Sequence, residues 1–211
     1  MKRVCIFDLD GTLIDSMAYF AKGLLSILDE EGISYGEEMV GIVTPRGYTK
    51  SAEYYIEELG VKDTVEHLVH RMEQKLVPAY SNEIKLKPFV KDYLLKLKAE
   101  GAALYVLTAS PHIVTDVCLQ NNGVYDLFEQ VWSVEDFGLS KAGTALFYKV
   151  AETIGRDTSD IEFYDDNLTA VSNAVRAGHK VYGIKDQQTA EDLALVKKRC
   201  HVFVESFEEL L

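Results

Sequence analysis

The second half of the chain alternates short hydrophobic runs with longer stretches in which apolar residues recur at helical spacing. The runs are five or six residues long and rich in Val, Tyr and Phe, which is typical of strands buried on both faces of a sheet. They lie at residues 103–108, 130–134, 161–166, 180–184 and 201–205. With a further run near the start of the chain, VCIF, the alternation predicts an α/β domain of about six parallel strands between helices.

Proline and glycine mark the ends of the predicted helices in this region. The stretch PFVKDYLLKLKAEG opens with Pro88, which suits the first turn of a helix, and it stops at Gly101. Other helical stretches stop at Gly123, Gly155 and Gly178, where glycine most easily adopts a left-handed closing conformation. The helices are therefore expected to be short and to return the chain directly to the next strand.

Residues 16–81 do not follow the alternation. A stripe of apolar residues at helical spacing runs through MAYFAKGLLSILDEEG. Two later stretches, YTKSAEYYIEELG and DTVEHLVHRMEQKLV, also have helical periodicity, and no stretch between them has the pattern of a strand. The sequence therefore predicts a core domain of residues 1–15 and 82–211, interrupted by an all-helical insert of residues 16–81.

Charge limits the partners that this chain is expected to have. The formal net charge of its 211 residues is −12. So acidic a chain is a poor candidate for binding nucleic acid or an anionic membrane surface. An anionic substrate would need a local positive group, such as a metal ion or a lysine. No feature of the sequence indicates an obligate protein partner.

The cysteines and the first residues bear on the expected location. Cys5, Cys118 and Cys200 are scattered and show no metal-binding or disulfide spacing, which favours a reducing cytoplasm. The opening MKRVCIFDLDG has too short an apolar run for a signal peptide, and no stretch approaches the length of a membrane span. A cytoplasmic protein is therefore expected.

Polar residues follow several predicted strands directly. In an open parallel sheet, ligands bind beyond the carboxyl ends of the strands, so these residues are expected to share one edge. Asp8 and Asp10 follow VCIF, and the hydroxyl residues Thr108 and Ser110 follow LYVL. Lys141 comes shortly after QVWSV, and the acidic pair Asp165 and Asp166 follows IEFY. The edge would then combine several carboxylates with one or two hydroxyls and a single lysine.

This set of groups suits phosphoryl transfer. Converging carboxylates are typical ligands of a hard cation, and Mg²⁺ is the usual one beside a phosphate. Such an ion would offset the repulsion between Asp8 and Asp166, and it would let a carboxylate attack phosphorus to form an aspartyl-phosphate. A second carboxylate can protonate the leaving oxygen and then activate water. Gly11 would let the backbone turn tightly and approach the phosphate.

Four stretches resemble the four motifs of the haloacid dehalogenase superfamily, in the order that the family has. DLDGTL is similar to the first motif and LYVLT to the second. KAGTALF, in which Lys141 precedes a phenylalanine by six residues, resembles the third, and FYDDN resembles the fourth. The helical insert resembles the small helical cap of the family's phosphoglycolate phosphatase and β-phosphoglucomutase-like members.

The resemblance implies a Rossmann-like fold, Mg²⁺ dependence and, most often, hydrolysis of a phosphomonoester. It implies that Asp8 is the nucleophile, that Asp10 is the general acid and base, and that Lys141 stabilises charge. The implied phosphate-binding residues are Gly11, Thr108, Ala109 and Ser110. The implied metal ligands are Asp8, the backbone carbonyl of Asp10 and one of the acidic pair; Asp166 is preferred, but Asp165 and Asp166 could exchange the roles of ligand and supporting residue.

The insert contains two cations that could contact a substrate. Arg46 and Lys50 lie in the segment GIVTPRGYTK, which is rich in glycine and proline and precedes a predicted helix. Loops of this kind carry specificity residues in caps that close over a site. The alternative is that both are solvated surface charges.

The leading hypothesis is a cytoplasmic, Mg²⁺-dependent phosphatase that acts on a small phosphorylated metabolite. The first alternative is a transferase of the phosphoglucomutase type, which would return the phosphoryl group to a sugar. A dehalogenase is disfavoured because such relatives normally lack an aspartate at the place of Asp10. A non-enzymatic, phospho-accepting receiver domain is disfavoured because it is much shorter and has no cap.

Overall fold

The computed structural model describes residues 2–211, except for the side chain of Pro45. The chain divides into two compact units. The first comprises the described residues up to Asp15 together with Lys85–Leu211, and the second is Ser16–Ile84. Within the described residues, no helix combines the length and the hydrophobicity needed to cross a membrane.

The first unit is built on a six-stranded sheet in which every pairing is parallel. The strands are β1 (Val4–Phe7), β2 (Ala103–Thr108), β3 (Gln130–Ser133), β4 (Ile161–Asp165), β5 (Lys180–Ile184) and β6 (Val202–Val204). Their order across the sheet is β3-β2-β1-β4-β5-β6. The structure therefore confirms the parallel α/β fold predicted from the sequence.

Nine α-helices occur in the described part of the chain. They are α1 (Met17–Glu30), α2 (Glu38–Val43), α3 (Gly47–Glu57), α4 (Val65–Asn82), α5 (Val90–Ala99), α6 (His112–Asn121), α7 (Ala145–Ile154), α8 (Leu168–Ala177) and α9 (Ala190–Arg199). Helices α5 to α9 belong to the first unit and α1 to α4 to the second. Helix α2 is too short to show a clear helical period, and the sequence pattern did not predict it.

The strand order has a switch point at β1. From β1 the chain goes to β2 and β3 on one side of the sheet and later to β4, β5 and β6 on the other. Open α/β sheets bind ligands at such a switch point, beyond the carboxyl ends of the strands. Phe7 at the end of β1 is in register with Tyr164 in β4, and the Asp8 amide donates to the Tyr164 carbonyl at 2.8 Å. The residues that follow β1 and end β4 are therefore level with each other.

Both faces of the central strands are buried under apolar side chains. On one face the rings of Phe7, Tyr164 and Tyr182 form a stack, with successive centroids 4.4 and 4.3 Å apart. On the other face the neighbouring residues of the same strands join a core that includes Phe147 and Phe163. Burial of aromatic side chains on this scale is a large favourable contribution to folding. The strands on either side of the switch point are therefore rigidly packed.

The second unit is all-helical within its described residues. Helices α1, α3 and α4 pack around a core of aliphatic side chains and the buried ring of Tyr55, whose hydroxyl donates to the carbonyl of Leu24 at 3.0 Å. Gly23 in α1 allows close packing, because a Cβ atom there would lie 2.8 Å from Cγ of Leu76 in α4. The predicted all-helical character of this segment is confirmed.

One helix begins later than the sequence indicates. Pro88 is expected in the first turn of a helix, but α5 begins at Val90. The residue between them, Phe89, has a φ of 64°, which is a left-handed conformation that residues with a Cβ rarely adopt. A right-handed helical turn therefore cannot pass through Phe89, and the proline lies outside the helix.

A buried histidine generates a prediction for stability. The ring of His179 packs against Phe147 and Phe163, and burial lowers its pKa to about 4. The unfolded chain, with a pKa near 6.5, binds this proton more readily, so the free energy of unfolding should fall as pH falls from about 6.5 to 4. The loss should approach about 3 kcal/mol and should be absent from His179→Leu.

Urea unfolding across this pH range measures the effect. His70→Leu is the control, because His70 is exposed and should leave the pH dependence as in wild type. Equal pH dependence in wild type and His179→Leu would contradict the assignment.

Candidate active site

Three carboxylates meet where β1 and β4 end. Asp8 follows β1, Asp165 is the last residue of β4, and Asp166 comes next. Each offers an oxygen, and these oxygens lie within 4.8 Å of one another. Asp8 and Asp165 are buried, with 7% and 1% of their surfaces exposed. The sequence predicted this meeting because residues at the carboxyl ends of adjacent parallel strands share one edge.

Burial and mutual repulsion make the charged form of these carboxyls unfavourable. The pKa of Asp8 is raised to about 7, chiefly by burial; Lys141 opposes the rise, and the charges of Asp165 and Asp10 add to it. The pKa of Asp166 lies well above its ordinary value, chiefly through burial and then through Asp165 and Asp8. The cluster therefore holds more negative charge than its own surroundings neutralise.

Lys141 is the cation within the cluster. Its Nζ lies 2.5 Å from Oδ1 of Asp8 and 2.8 Å from Oδ2 of Asp165. Burial opposes the charged form of this lysine, but the two carboxylates outweigh that effect and raise its pKa above the ordinary value. The side-chain amide of Asn173 on α8 donates to the Lys141 carbonyl at 3.1 Å. Helix α8 thus fixes the backbone that carries the lysine.

The turn after β1 passes directly against Asp166. Gly11 has a φ of 78°, and a Cβ atom there would lie 2.8 Å from the Asp166 carboxyl carbon. The Gly11 amide already donates to the Ile14 carbonyl at 3.1 Å. The contribution of Gly11 in this structure is therefore to leave space for the Asp166 carboxylate. The next residue, Thr12, donates from its hydroxyl to Oδ1 of Asp166 at 3.1 Å. In the sequence, Thr12 was marked only by its place in the motif DLDGTL and had no predicted role.

Asp10 meets the loop that follows β2. The hydroxyl of Ser110 donates to Oδ2 of Asp10 at 2.6 Å. The Ser110 amide donates to Oγ1 of Thr108 at 3.0 Å, which leaves the Thr108 hydroxyl proton available to another acceptor. Ala109, between them, is exposed. The structure therefore brings the four predicted residues Asp10, Thr108, Ala109 and Ser110 into one neighbourhood.

His112 joins the two loops that border this neighbourhood. Its Nδ1 lies 3.1 Å from Asp116 and its Nε2 lies 3.0 Å from Asp136. Both partners favour the charged ring, and Asp136 contributes most to raising the pKa of His112. Asp136 also accepts from the Ser133 amide at 3.0 Å, next to the segment that leads to Lys141. The ring of His112 is thus occupied by structural contacts.

Arg46 and Lys50 belong to the second unit. The Arg46 guanidinium donates to the Ile42 carbonyl and lies over the ring of Tyr54, 5.0 Å from its centroid. The Lys50 side chain is exposed and makes no ion pair or hydrogen bond with the described residues. Their role as substrate contacts stays a prediction.

Comparison with known proteins agrees with the geometry. The model of the family "Haloacid dehalogenase-like hydrolase" matches residues 5–184. A phosphoglycolate phosphatase of Psychrobacter arcticus is 27% identical over 196 residues, which cover 87% of this chain and 83% of that protein. A phosphorylated carbohydrates phosphatase of Thermotoga maritima is 21% identical over 180 residues, covering 85% and 83%.

A solved structure is similar in fold over the whole chain. CbbY from Rhodobacter sphaeroides, solved in complex with phosphate, superposes with a TM-score of 0.84 at 16% identity and covers 100% of this chain and 96% of its own. The family model spans the region from β1 to β5 and therefore includes every residue of the carboxylate cluster. The chain belongs to the haloacid dehalogenase-like hydrolase family, in its phosphatase branch.

Proposed function

We propose that this protein hydrolyses the phosphomonoester of a small metabolite through an aspartyl-phosphate on Asp8, with Mg²⁺ bound at the carboxylate cluster. The observation that carries the proposal is the cluster itself: Asp8, Asp165 and Asp166 converge within 4.8 Å beside one lysine. A divalent cation and a phosphate ester together account for that charge distribution. A structural role would not require the excess of carboxylates.

The donor atoms fit a hard cation. All are carboxylate oxygens, which Mg²⁺ prefers over nitrogen and sulfur ligands. Oδ1 of Asp165 accepts from the Asn167 amide at 2.8 Å and Oδ2 accepts from Lys141, so both of its oxygens are occupied. Asp166 uses only Oδ1, towards Thr12, among the described residues. We therefore assign Asp166 and Asp8 as direct ligands, together with the Asp10 carbonyl, and Asp165 as the residue that positions Lys141.

Mg²⁺, when bound, neutralises part of the charge on the phosphate and favours the ionised form of the carboxyls that hold it. For its part, Asp8 must be ionised to attack, and a pKa near 7 leaves a substantial protonated fraction at neutral pH. Lys141 lowers that pKa and orients the Asp8 carboxylate through Oδ1. This leaves Oδ2 of Asp8 without a hydrogen bond in the described part of the chain.

The reaction then follows two balanced steps. In the first, an Asp8 oxygen bonds to phosphorus, the bond from phosphorus to the ester oxygen breaks, and that oxygen takes a proton from Asp10. In the second, Asp10 accepts a proton from water, the water oxygen bonds to phosphorus, and the bond to Asp8 breaks. Ser110 orients Asp10 for both transfers through its 2.6 Å hydrogen bond.

We assign the loop after β2 as the part of the site that donates hydrogen bonds to the phosphate oxygens. The Thr108 hydroxyl accepts from the Ser110 amide, so its proton can be donated to a phosphate oxygen. The amide of Ala109 lies between them at the start of the same loop. Lys141 supplies positive charge on the side of Asp8. These groups would supply hydrogen bonds and positive charge to an oxyanion without any movement of the strands that carry them.

The substrate class and location are proposed at a coarse level. The two relatives are named for phosphoglycolate and for phosphorylated carbohydrates, and we carry over only what these share, a small phosphorylated metabolite. Arg46 and Lys50 are the proposed specificity residues of the second unit. The net charge of −12 argues against a nucleic-acid substrate, and the unpaired cysteines support a reducing cytoplasm.

Phosphate release from a panel of phosphorylated metabolites tests the proposal. Wild type should release phosphate only with Mg²⁺, and Asp8→Asn should lower kcat by at least about a thousandfold because it removes the nucleophile. Asp126→Asn is the control, because Asp126 is exposed and outside the cluster. Isomerisation of a sugar phosphate without phosphate release, or activity that survives in Asp8→Asn, would contradict hydrolysis through Asp8.

Two glycine substitutions distinguish the contact between Gly11 and Asp166 from the backbone strain that both substitutions cause. Gly11→Ala and Gly101→Ala place a Cβ on backbones with φ of 78° and 82°, but only the first would meet Asp166, whereas the second meets open space. Both should lose a similar stability, about 1–2 kcal/mol. Only Gly11→Ala should also lose activity, by roughly a hundredfold, because Asp166 is displaced. Steady-state kinetics at saturating Mg²⁺ and thermal unfolding measure the two effects, and equal activity in the two variants would contradict the role of this contact.

A further inference from the structure

A largely buried ion pair lies in the first unit outside the residues assigned above. Nζ of Lys87 is 2.7 Å from Oδ1 of Asp186, and 14% and 7% of the two side chains are exposed. The same Nζ donates to the Lys185 carbonyl at 3.0 Å. Burying two charges carries a desolvation cost that the pairing often only balances, so stability alone is a weak reason to find the pair here.

The loop that carries Asp186 also carries Gln188, whose side chain hydrogen-bonds to the backbone of Asp166. Nε2 of Gln188 donates to the Asp166 carbonyl at 2.9 Å and to the Ile184 carbonyl at 2.9 Å. Its Oε1 accepts from the Asp186 amide at 2.8 Å. One side chain thus connects Ile184, at the end of β5, and Asp186 to the peptide of Asp166. We call residues 185–188 the β5 loop.

The other end of the ion pair reaches the turn after β1. The Lys87 amide donates to the Leu13 carbonyl at 2.9 Å. Leu13 follows Thr12, whose hydroxyl donates to the Asp166 carboxylate. Asp166 is therefore held at its carboxylate by the turn after β1 and at its carbonyl by the β5 loop. The ion pair between Lys87 and Asp186 connects these two supports.

Asp166 needs such support because its neighbours repel it. Asp165, Asp8 and Asp186 all disfavour its charge, whereas Lys87 favours it. A carboxylate in that field moves away from its neighbours unless its backbone and its side chain are fixed. Groups that orient metal ligands commonly change metal affinity by 10- to 100-fold when removed.

We propose that Gln188, with the ion pair between Lys87 and Asp186, positions Asp166 for metal binding. The proposal rests on the proposed function, because it takes Asp166 as a metal ligand. Gln188 acts through the Asp166 peptide and the ion pair acts through the β5 loop, so these are positioning residues. None of the three need touch the substrate or the reacting phosphorus.

The direct test is metal binding without turnover. Mn²⁺ serves as the probe, with free and bound ion distinguished by electron paramagnetic resonance in the absence of any phosphate. Gln188→Met keeps the length of the side chain but removes its hydrogen bonds, and it should weaken Mn²⁺ binding by roughly tenfold or more. Gln187→Met is the matched control. Gln187 precedes Gln188, is exposed, and its side chain makes no hydrogen bond with the described residues. This variant should bind Mn²⁺ as wild type does.

A second pair of variants tests the ion pair. Lys87→Met should weaken Mn²⁺ binding, and the further change Gln188→Met should then add less than its own effect, because both act on the same loop. Lys91→Met, a nearby exposed lysine, is the control. Full additivity of Lys87→Met and Gln188→Met would show that the ion pair acts separately and would overturn its part of the proposal.

The outcomes also separate this proposal from the proposed function. If wild type binds Mn²⁺ and Asp166→Asn abolishes binding, the metal site stands; equal binding in Gln188→Met and Gln187→Met would then overturn the positioning role alone. If wild type binds no Mn²⁺, both proposals fail. Circular dichroism confirms that each variant is folded, and at saturating Mg²⁺ the KM for substrate should be unchanged by Gln188→Met, whereas a general collapse of the site would raise it.

Discussion

Repulsion among buried carboxylates at the ends of β1 and β4 is the constraint on which the rest of the site depends. Asp8, Asp165 and Asp166 converge, one lysine pairs with Asp8 and Asp165, and burial strengthens every charge interaction. Such an arrangement is unfavourable for folding, and the cation and phosphate of the proposed function would offset that cost. Lys141 is one positive charge beside three carboxylates, so the proposed chemistry and the electrostatics of the cluster point to the same partner.

The scaffold offsets this cost with apolar packing immediately beneath the site. Phe7 and Tyr164 lie on the two strands whose ends carry the carboxylates, and their rings stack with Tyr182 of the neighbouring β5. Helix α8 adds polar support: the Asn167 side chain accepts from the Thr169 and Ala170 amides at its start, and Asn173 binds the Lys141 carbonyl. Rigid strands and helix ends therefore fix groups that would otherwise separate.

Sequence periodicity predicted the strands, the helical insert and the edge at which the polar residues meet. It could do so because strand burial and the parallel sheet determine which residues follow each strand. It gave no role to Thr12, Asn173 or Gln188, which act by hydrogen bonds between segments that only the folded chain brings together. The left-handed Phe89 was equally hidden, since no local pattern distinguishes it from the first turn of a helix.

Thermal and chemical unfolding of Asp166→Asn, with and without Mg²⁺, tests whether a cation resolves the repulsion within this cluster. Because the substitution removes one repelling charge, the account predicts that at neutral pH and in the presence of a chelator the variant is more stable than wild type. With saturating Mg²⁺ the order should reverse, because wild type alone gains the full binding energy of the ion. If Asp166→Asn is less stable than wild type under both conditions, or if Mg²⁺ stabilises both equally, a cation does not resolve the charge of this cluster and the account is wrong.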